Sequence, residues 1–391
     1  MKKIAVVTAT RAEYGLLMPV IKELREFESE EFRTELLVTG THLSEKYGMT
    51  IQEIEKDGLR IDHKIPISVK SDLELNISQN QAEALAKFTE LFTREKYNAI
   101  VLLGDRYEAL AVAIAAGNTR TPVFHLCGGD TTEGALDEWI RHSITKISYL
   151  HFVTNVESRK RVIQLGEDPN RVFNYGSTSI DNVLRVADMT KEEALDSVGL
   201  PNCKYAVCTY HPVTMEAGSG IEEQIDNFID AIKEFSTIQF IVTKSNADQG
   251  GAKINAFLDE AETKINNMHV YTSLGIKRYL SLMKFSEFVL GNSSSGIIET
   301  PAFHVPTVNI GDRQRGRLQS ASIINCDADK DSILNAIKIV LSEGHKKICK
   351  AVVSPYGDGH AAEQIAKKSY EVVMDGGIDL KKKFFDLELN L

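Results

Sequence analysis

The chain repeats one hydrophobic pattern over most of its length. A short apolar run of strand length is followed by a polar or glycine-rich turn and then by ten or more residues at helical spacing. Continuous runs of valine, isoleucine and leucine, such as residues 100–103, are typical of strands that are buried on both faces. Because these runs alternate with helical stretches, the pattern predicts parallel β-α-β units of a doubly wound α/β fold.

The predicted strands fall into two groups. The first group lies at residues 4–8, 35–39, 99–103, 122–126, 151–154 and 172–175. The pattern restarts after Gly176, with strands predicted at residues 205–208, 240–243, around 270, 288–290, 307–310 and 322–325. We therefore expect two Rossmann-like domains, residues 1–176 and 177–365, and a final helix and tail, residues 366–391, that pack back on the first domain. Since open parallel sheets bind ligands beyond the carboxyl ends of their strands, a ligand cleft between the two domains is expected.

Length and charge limit the classes of function. A chain of 391 residues exceeds the size of about 250–300 residues at which single cores stop growing, which agrees with two domains. The net charge of −10 argues against a nucleic-acid-binding protein. The longest apolar run, residues 99–116, contains Asp105, Arg106 and Glu108, so no membrane-spanning segment is expected.

Cysteine usage and motif spacing give further expectations. The five cysteines are scattered and form no C-x-x-C pair, which predicts reduced thiols and a cytoplasmic protein. The chain has neither the G-x-G-x-x-G motif of dinucleotide-binding proteins nor the H-E-x-x-H spacing of metal ligands. We therefore expect no cofactor and no metal.

In the second half, a predicted phosphate site follows the strand at residues 288–290. The turn at 291–296 reads Gly-Asn-Ser-Ser-Ser-Gly and precedes a helix predicted at residues 297–303. Small residues allow backbone N–H groups to approach an anion, and Ser293 and Ser294 add hydroxyl donors. Arg313 and two further arginines follow the next strand, and Glu299 could accept hydrogen bonds from a ribose. The alternative is a capping turn beside a solvated basic loop.

In the first half, carboxylates gather after predicted strands. They are Asp105, Asp130, Glu133 and Asp137. Such a cluster raises the odds of proton chemistry, although Asp137 alone could be a first-turn helix acid and Asp105 could form a structural pair with Arg106. Arg11, after the first strand, is either an anion-binding residue or an ordinary surface arginine. His211 follows the strand at 205–208, where a lone histidine is more often structural than catalytic.

Seven short segments, in order along the chain, resemble the hydrolysing UDP-N-acetylglucosamine 2-epimerases of bacterial sialic acid synthesis. They are residues 10–15, 38–42, 104–108, 137–146, 291–299, 311–317 and 355–359. The resemblance implies a glycosyltransferase-B-type fold, a UDP-sugar substrate and a homodimer or homotetramer. It also implies the reaction: anti elimination of UDP across C1 and C2 gives a 2-acetamidoglucal, and water then adds to yield N-acetylmannosamine.

The resemblance also implies roles for individual residues. Asp105 and Asp137 match catalytic acids of the family, and the uracil is expected near the backbone of Leu274. The residues that match UDP contacts are Arg11, Arg106, His211, Asn246, Ser293, Ser294, Glu299 and Arg313.

One position departs from the family pattern. Many relatives have a glutamate where this chain has Cys127, and a thiol replaces a carboxylate as a base only when its pKa is lowered. The role of that glutamate either moves to Asp130 or Glu133 or is not needed. The segment 129–134 also resembles that of relatives that act on UDP-2,4-diacetamido-2,4,6-trideoxyglucose in legionaminic acid synthesis. That substrate is one alternative, and a non-hydrolysing UDP-N-acetylglucosamine 2-epimerase is another.

Overall fold

A computed structural model describes residues 1–69, 73–131, 136–211, 220–245 and 251–388. The chain divides into two compact units, which we call unit 1 (Met1–Asp181 with Tyr356–Leu391) and unit 2 (Asn182–Pro355). The sequence pattern placed these boundaries at 176/177 and 365/366. The return to unit 1 comes earlier because Ala361 and Ala362 are already buried in its core.

The described residues contain thirteen strands, all paired in parallel. In chain order they are β1 (Lys2–Thr8), β2 (Phe32–Thr39), β3 (His63–Ile65), β4 (Ala99–Leu103), β5 (Val123–Leu126), β6 (Leu150–Val153), β7 (Val172–Asn174), β8 (Tyr205–Thr209), β9 (Gln239–Thr243), β10 (Met268–Tyr271), β11 (Phe288–Gly291), β12 (Thr307–Ile310) and β13 (Ile323–Cys326). Unit 1 has the order β3-β2-β1-β4-β5-β6-β7, and unit 2 has the order β10-β9-β8-β11-β12-β13. The sequence pattern did not predict β3, which has three residues of which only Ile65 is buried.

Helices connect the strands. Within the described residues they are α1 (Arg11–Glu26), α2 (Ile51–Lys56), α3 (Glu74–Glu95), α4 (Tyr107–Asn118), α5 (Leu136–Ile147), α6 (Val156–Gln164), α7 (Thr178–Val186), α8 (Lys191–Asp196), α9 (Ile221–Lys233), α10 (Gly251–Glu262), α11 (Gly275–Phe285), α12 (Ser295–Ile298), α13 (Lys330–Val340), α14 (Glu343–Ala351) and α15 (Ala361–Asp375). The chain passes from unit 1 to unit 2 within α7. No helix in this part of the chain is sufficiently long and apolar to cross a membrane.

Each sheet is covered on both faces, as the predicted doubly wound fold requires. In β1, Ile4 and Val6 pack into one core cluster while Ala5 and Val7 pack into another. The alternation follows from the two-residue period of a strand, and it explains why the run is apolar throughout. α15 closes the first of these clusters with Ile365 and Val373. β8 of unit 2 divides its residues between two clusters in the same way.

The strand orders locate the expected ligand positions. In unit 1, β2 and β3 are added on one side of β1, whereas β4 and the later strands are added on the other side, so the strand order reverses between β1 and β4. In unit 2 the strand order reverses in the same way between β8 and β11. At such a switch point the two following loops run in opposite directions and leave a crevice at the carboxyl edge. The turns after these four strands are therefore the expected ligand-binding positions.

Candidate active site

In unit 1, neighbouring strands bring four of the predicted residues to one edge of the sheet. β1 pairs with β4, and β4 pairs with β5. Arg11 follows β1, Asp105 and Arg106 follow β4, and Asp130 follows β5. Residues 132–135, which include Glu133, lie outside the described part of the chain, and Asp137 lies in the first turn of α5. Of the predicted acids, Asp105, Asp130 and Asp137 are thus grouped by topology at the carboxyl edge.

The carboxylate of Asp105 forms an ion pair with an arginine that was not predicted as a site residue. Arg141 in α5 is 2% exposed and donates from Nη2 to Asp105 Oδ2. Its Nη1 donates to the backbone carbonyl of Asp130 at 2.7 Å and to Glu138 Oε2 at 2.9 Å. A buried guanidinium requires such paired acceptors. Arg141 therefore fixes Asp105, the turn after β5 and the start of α5 relative to one another.

The carboxylate of Asp130 accepts hydrogen bonds from the next β-α turn. Thr154 donates its hydroxyl to Asp130 Oδ1 at 2.5 Å, and Ser158 donates to the same oxygen at 2.6 Å. The two hydroxyl donors hold the carboxyl group of Asp130 against the start of α6. This arrangement favours a role for Asp130 in shaping the turn 127–130.

A buried histidine holds the turn that carries Asp105. His125 in β5 bonds through Nε2 to the backbone carbonyl of Gly104 at 2.8 Å. Burial lowers the pKa of His125 to about 3, so the ring is neutral. Because a carbonyl only accepts, the Nε2 atom carries the proton and donates it. His125 is therefore a fixed support for the residue before Asp105.

Cys127 lies at the end of β5 in a left-handed backbone conformation, with φ +63°. A non-glycine residue rarely adopts this region, and such strained residues cluster at functional sites. Its backbone N–H donates to the carbonyl of Phe152 at 3.0 Å. The position at which the sequence departs from the resembled family is thus a tightly held bend at the carboxyl edge of the sheet.

In unit 2, the predicted UDP-binding residues within the described part of the chain follow four strands. After β8 comes His211, after β10 comes Leu274, after β11 come Ser293, Ser294 and Glu299, and after β12 comes Arg313. β9 is followed by Ser245, which bonds to His211 Nδ1 at 3.2 Å. Asn246 lies outside the described residues.

Asn292, which the sequence analysis did not assign to the site, joins three of these turns. Its Oδ1 accepts from the backbone N–H of His211 at 2.7 Å, and its Nδ2 donates to the His211 carbonyl at 2.8 Å. Its own carbonyl accepts from Arg313 Nη1 at 3.1 Å and from Gln314 Nε2 at 2.9 Å. The side chain is fully buried. A polar residue directly after a buried strand was the signal that could have identified it.

Close backbone approach explains the glycine before Asn292. Gly291 has φ +136°, and a Cβ atom added there would lie 2.0 Å from the carbonyl oxygen of Thr209 in β8. Only glycine fits this contact. The turns after β8 and β11 are consequently pressed together, and Asn292 N–H donates to the same Thr209 carbonyl at 3.2 Å.

The helix predicted at residues 297–303 is wrong in extent. The structure has a single turn, α12, followed by a 3₁₀ turn at Thr300–Phe303. Pro301 lacks an N–H and cannot continue an α-helix, so the helix ends early. A helix of one turn has little macrodipole. Anion binding in this turn must therefore depend on backbone N–H groups, on hydroxyls and on Arg313.

The carboxyl group of Glu299 has an unusually high pKa. Burial raises the pKa of Glu299 to about 7, although a hydrogen bond from Ser295 acts in the opposite direction. Hydrogen bonds from ligand hydroxyls would stabilise the ionised form of this carboxyl group, because donors favour the charged state.

Two of the three arginines expected in the next loop differ in their surroundings. Arg313 donates a hydrogen bond to the backbone carbonyl of Asn292. Arg315 is 72% exposed, and its Nη1 lies 3.5 Å from Asp312 Oδ2.

One group of possible metal ligands occurs among the described residues, away from these two edges. The ligand atoms of Glu35, His63 and Glu95 lie within 4.8 Å of one another. Lys3 Nζ already lies 3.0 Å from Glu95 Oε2, and Tyr97 donates its hydroxyl to Glu35 Oε2 at 2.6 Å. These contacts describe a half-buried ion-pair network, and the candidate site does not include it.

The fold and the two polar edges define a class of protein. Two parallel α/β sheets with helices on both faces, each with polar side chains at its carboxyl edge, give a GT-B-like fold. The family profile for UDP-N-acetylglucosamine 2-epimerase matches residues 24–368, and the chain belongs to this family of enzymes that act on nucleotide sugars.

Relatives and a solved structure agree with this assignment. A polysialic acid biosynthesis protein P7 of Escherichia coli is 37% identical over 392 residues, which cover 99% of this chain and 98% of that protein. A hydrolysing GDP/UDP-N,N'-diacetylbacillosamine 2-epimerase of Campylobacter jejuni is 39% identical over 330 residues, covering 83% and 84%. The crystal structure of the Methanocaldococcus jannaschii UDP-GlcNAc 2-epimerase in complex with UDP-GlcNAc and UDP has a TM-score of 0.76 at 18% identity, covering 94% and 99%.

Proposed function

We propose that this protein is a hydrolysing 2-epimerase that converts UDP-N-acetylglucosamine and water to N-acetylmannosamine and UDP. The observation that carries the proposal is the Asp105–Arg141 ion pair at the edge of unit 1 that also presents Arg106. A carboxylate fixed by a buried cation is suited to proton transfer at a defined position. The hydrolysing C. jejuni relative supports the release of UDP.

The proposed reaction has two steps. In the first, a carboxylate takes the proton from C2 while the C1–O bond breaks, so that the electron pair of that bond leaves with UDP and a C1–C2 double bond forms. In the second, water adds its oxygen to C1 and a proton is delivered to C2 with inverted configuration. We propose Asp105 and Asp137 as the two groups that transfer these protons.

Unit 2 is proposed to hold the leaving group. The loss of UDP leaves negative charge on the diphosphate, and preorganised donors stabilise such charge best. Arg313, Ser293 and Ser294 follow β11 and β12 and supply a guanidinium and hydroxyls near Asn292. Glu299 is proposed to accept hydrogen bonds from the ribose, and the backbone of Leu274 to lie near the uracil.

A second candidate substrate has a specific observation in its favour. The C. jejuni relative is named for N,N'-diacetylbacillosamine, which is 2,4-diacetamido-2,4,6-trideoxyglucose. Cys127 stands in a strained bend at this sheet edge, and the segment 129–134 resembles that of relatives using this sugar. The elimination and hydration steps would be the same, because the bonds at C1 and C2 are the same in both sugars.

Proton NMR of the purified protein in D₂O, with each UDP-sugar in separate reactions, tests the proposal. We expect free UDP and a free 2-epimer sugar that carries deuterium at C2. The substrate with the larger kcat/KM is the true one. A UDP-linked 2-epimer without free UDP would identify a non-hydrolysing epimerase, and turnover without deuterium at C2 would contradict the elimination.

A further inference from the structure

Two buried carboxyl groups of unit 1 face one small cavity. Glu13 in α1 is 6% exposed and Glu108 in α4 is fully buried. The cavity between them has a volume of about 10 Å³, and its other lining residues are mostly apolar, such as Val7, Leu102 and Val112. That volume is near the minimum for one water molecule.

Each of these carboxyl groups uses one oxygen to hold a turn at the carboxyl edge. Glu13 Oε2 accepts from the backbone N–H groups of Ala9 at 2.9 Å and Thr10 at 3.0 Å, which shapes the turn before Arg11. Glu108 Oε2 accepts from Arg106 Nε at 3.3 Å. The other oxygens, Oε1 of both residues, are buried and have no hydrogen-bond partner among the described residues.

Two negative charges cannot both be stable in this setting. A buried carboxylate without compensation costs several kcal/mol, and a second one nearby adds repulsion. The charged and titratable groups that face the pair are Arg106 and, beside Glu108, Tyr107. Arg106 compensates one negative charge. Burial, reinforced by Glu108, raises the pKa of Glu13 to about 7.

We propose that Glu13 and Glu108 share one proton, either directly or through a single enclosed water, and so act as a positioning pair for Arg11 and Arg106. The bond would join the turn after β1 to the turn after β4, two adjacent strands. Loss of the proton would separate the two turns. The existence of the shared proton does not depend on the proposed function, whereas its effect on substrate does.

Infrared difference spectroscopy of the full chain tests the shared proton. The Glu299→Gln protein is the background for this measurement, because it lacks the other carboxyl group whose pKa is raised to about 7. In this background we expect the carbonyl stretch of a protonated carboxylic acid to persist above pH 5 and to disappear on titration near pH 7. Glu13→Gln should remove this band. Glu26→Gln, on the exposed side of the same helix, is the matched control and should retain it. Absence of the band from the Glu299→Gln protein at pH 6 would overturn the proposal, and so would its persistence when Glu13→Gln is added.

Glu13→Gln also separates positioning from a merely structural role. The glutamine oxygen can accept from Ala9 and Thr10, and its amide can donate to Glu108 at every pH. In the Glu299→Gln background, which removes the opposing titration of Glu299, we expect the UDP affinity to fall several-fold between pH 7 and pH 9, and we expect the fall to be lost when Glu13→Gln is added. A variant that binds UDP more weakly than wild-type at every pH would contradict the positioning role.

Failure of the proposed function remains distinguishable. If wild-type protein turns over neither UDP-sugar, the infrared titration still reports the shared proton. Thermal unfolding gives an independent readout. The raised pKa of Glu13 contributes stability at low pH that is lost as pH rises through about 7. Glu13→Gln should therefore match the wild-type Tm at pH 5 and exceed it at pH 9, and a lower Tm of the variant at both pH values would contradict the pair.

Discussion

The residues at the carboxyl edge of unit 1 are held by charges, whereas those of unit 2 are held by a neutral amide. In unit 1 the guanidinium of Arg141 binds Asp105 and Glu138. In unit 2 the side chain of Asn292 forms hydrogen bonds with both the backbone N–H and the backbone carbonyl of His211. The backbone carbonyl of Asn292 accepts a hydrogen bond from Arg313. The first arrangement keeps acids in place for proton transfer. The second positions hydrogen-bond donors for an anion around a neutral side chain.

The largest effect is expected when an acid at the carboxyl edge of unit 1 is replaced. Asp105→Asn and Asp137→Asn should each lower kcat by about 10²–10⁴, the usual contribution of a positioned acid or base. UDP affinity should change little, since unit 2 is proposed to hold the nucleotide. Steady-state kinetics and calorimetric titration with UDP measure the two effects. Glu90→Gln, on an exposed position of α3, is the control, and wild-type rates in either aspartate variant would refute the assignment.

Removal of the neutral amide should damage unit 2 in a different way. Asn292→Ala removes the two hydrogen bonds that its side chain makes to the buried backbone of His211, at about 0.5–1.5 kcal/mol for each bond. We expect a lower Tm together with much weaker UDP binding. Asn335→Ala, at an exposed amide of α13, should affect neither strongly. If Asn292→Ala keeps wild-type UDP affinity, the three turns do not depend on this residue.

The arginines of the loop after β12 should differ in their effects. Arg313→Ala should weaken UDP binding by about 10- to 100-fold, the value of a charge-assisted hydrogen bond of about 1.5–3 kcal/mol. Arg315→Ala should leave the affinity unchanged, because Arg315 is largely exposed. Equal losses in both variants would show that the loop attracts UDP by its summed charge.

The smallest effect concerns Glu299. If the ribose hydroxyls bind its ionised form, a pKa near 7 in the free protein makes UDP affinity rise by up to about tenfold from pH 6 to pH 8, because the proton must leave first. The measurement is best made in the Glu13→Gln background, which removes the opposing titration. Glu299→Gln should lose this rise. The rise should also appear as proton release in calorimetry with buffers of different ionisation enthalpy, and its persistence in Glu299→Gln would exclude Glu299 as its source.

The fold was predictable from the sequence where the chain is apolar on both faces. Residues 99–103 are apolar throughout and form a strand with the predicted bounds, because a parallel strand that is buried on both faces requires such a continuous run. β3 was not predicted, because its three residues are too few to show an alternation of apolar and polar positions. Pro301 is a signal for the early end of α12, although the apolar spacing of residues 297–303 is typical of a longer helix.

The residues of the two edges were predictable as far as their position after a strand reveals them. Arg141 and Asn292 were missed because their importance comes from the partners they reach across other elements, and hydrophobic spacing carries no information about such contacts. The buried pair of Glu13 and Glu108 is separated by 95 positions in the chain and becomes visible only when β1 and β4 lie side by side.

The arrangement of unit 1 has a consequence for synthesis on the ribosome. Unit 1 is made of the first 181 residues and a segment that starts at Tyr356, and Tyr356 accepts a hydrogen bond from the N–H of Ser177 at 2.7 Å. α15, which buries Ile365 and Val373 in the core of unit 1, emerges only after all of unit 2. Unit 2 can thus finish folding first, while the unit that was begun earlier waits with part of its core uncovered.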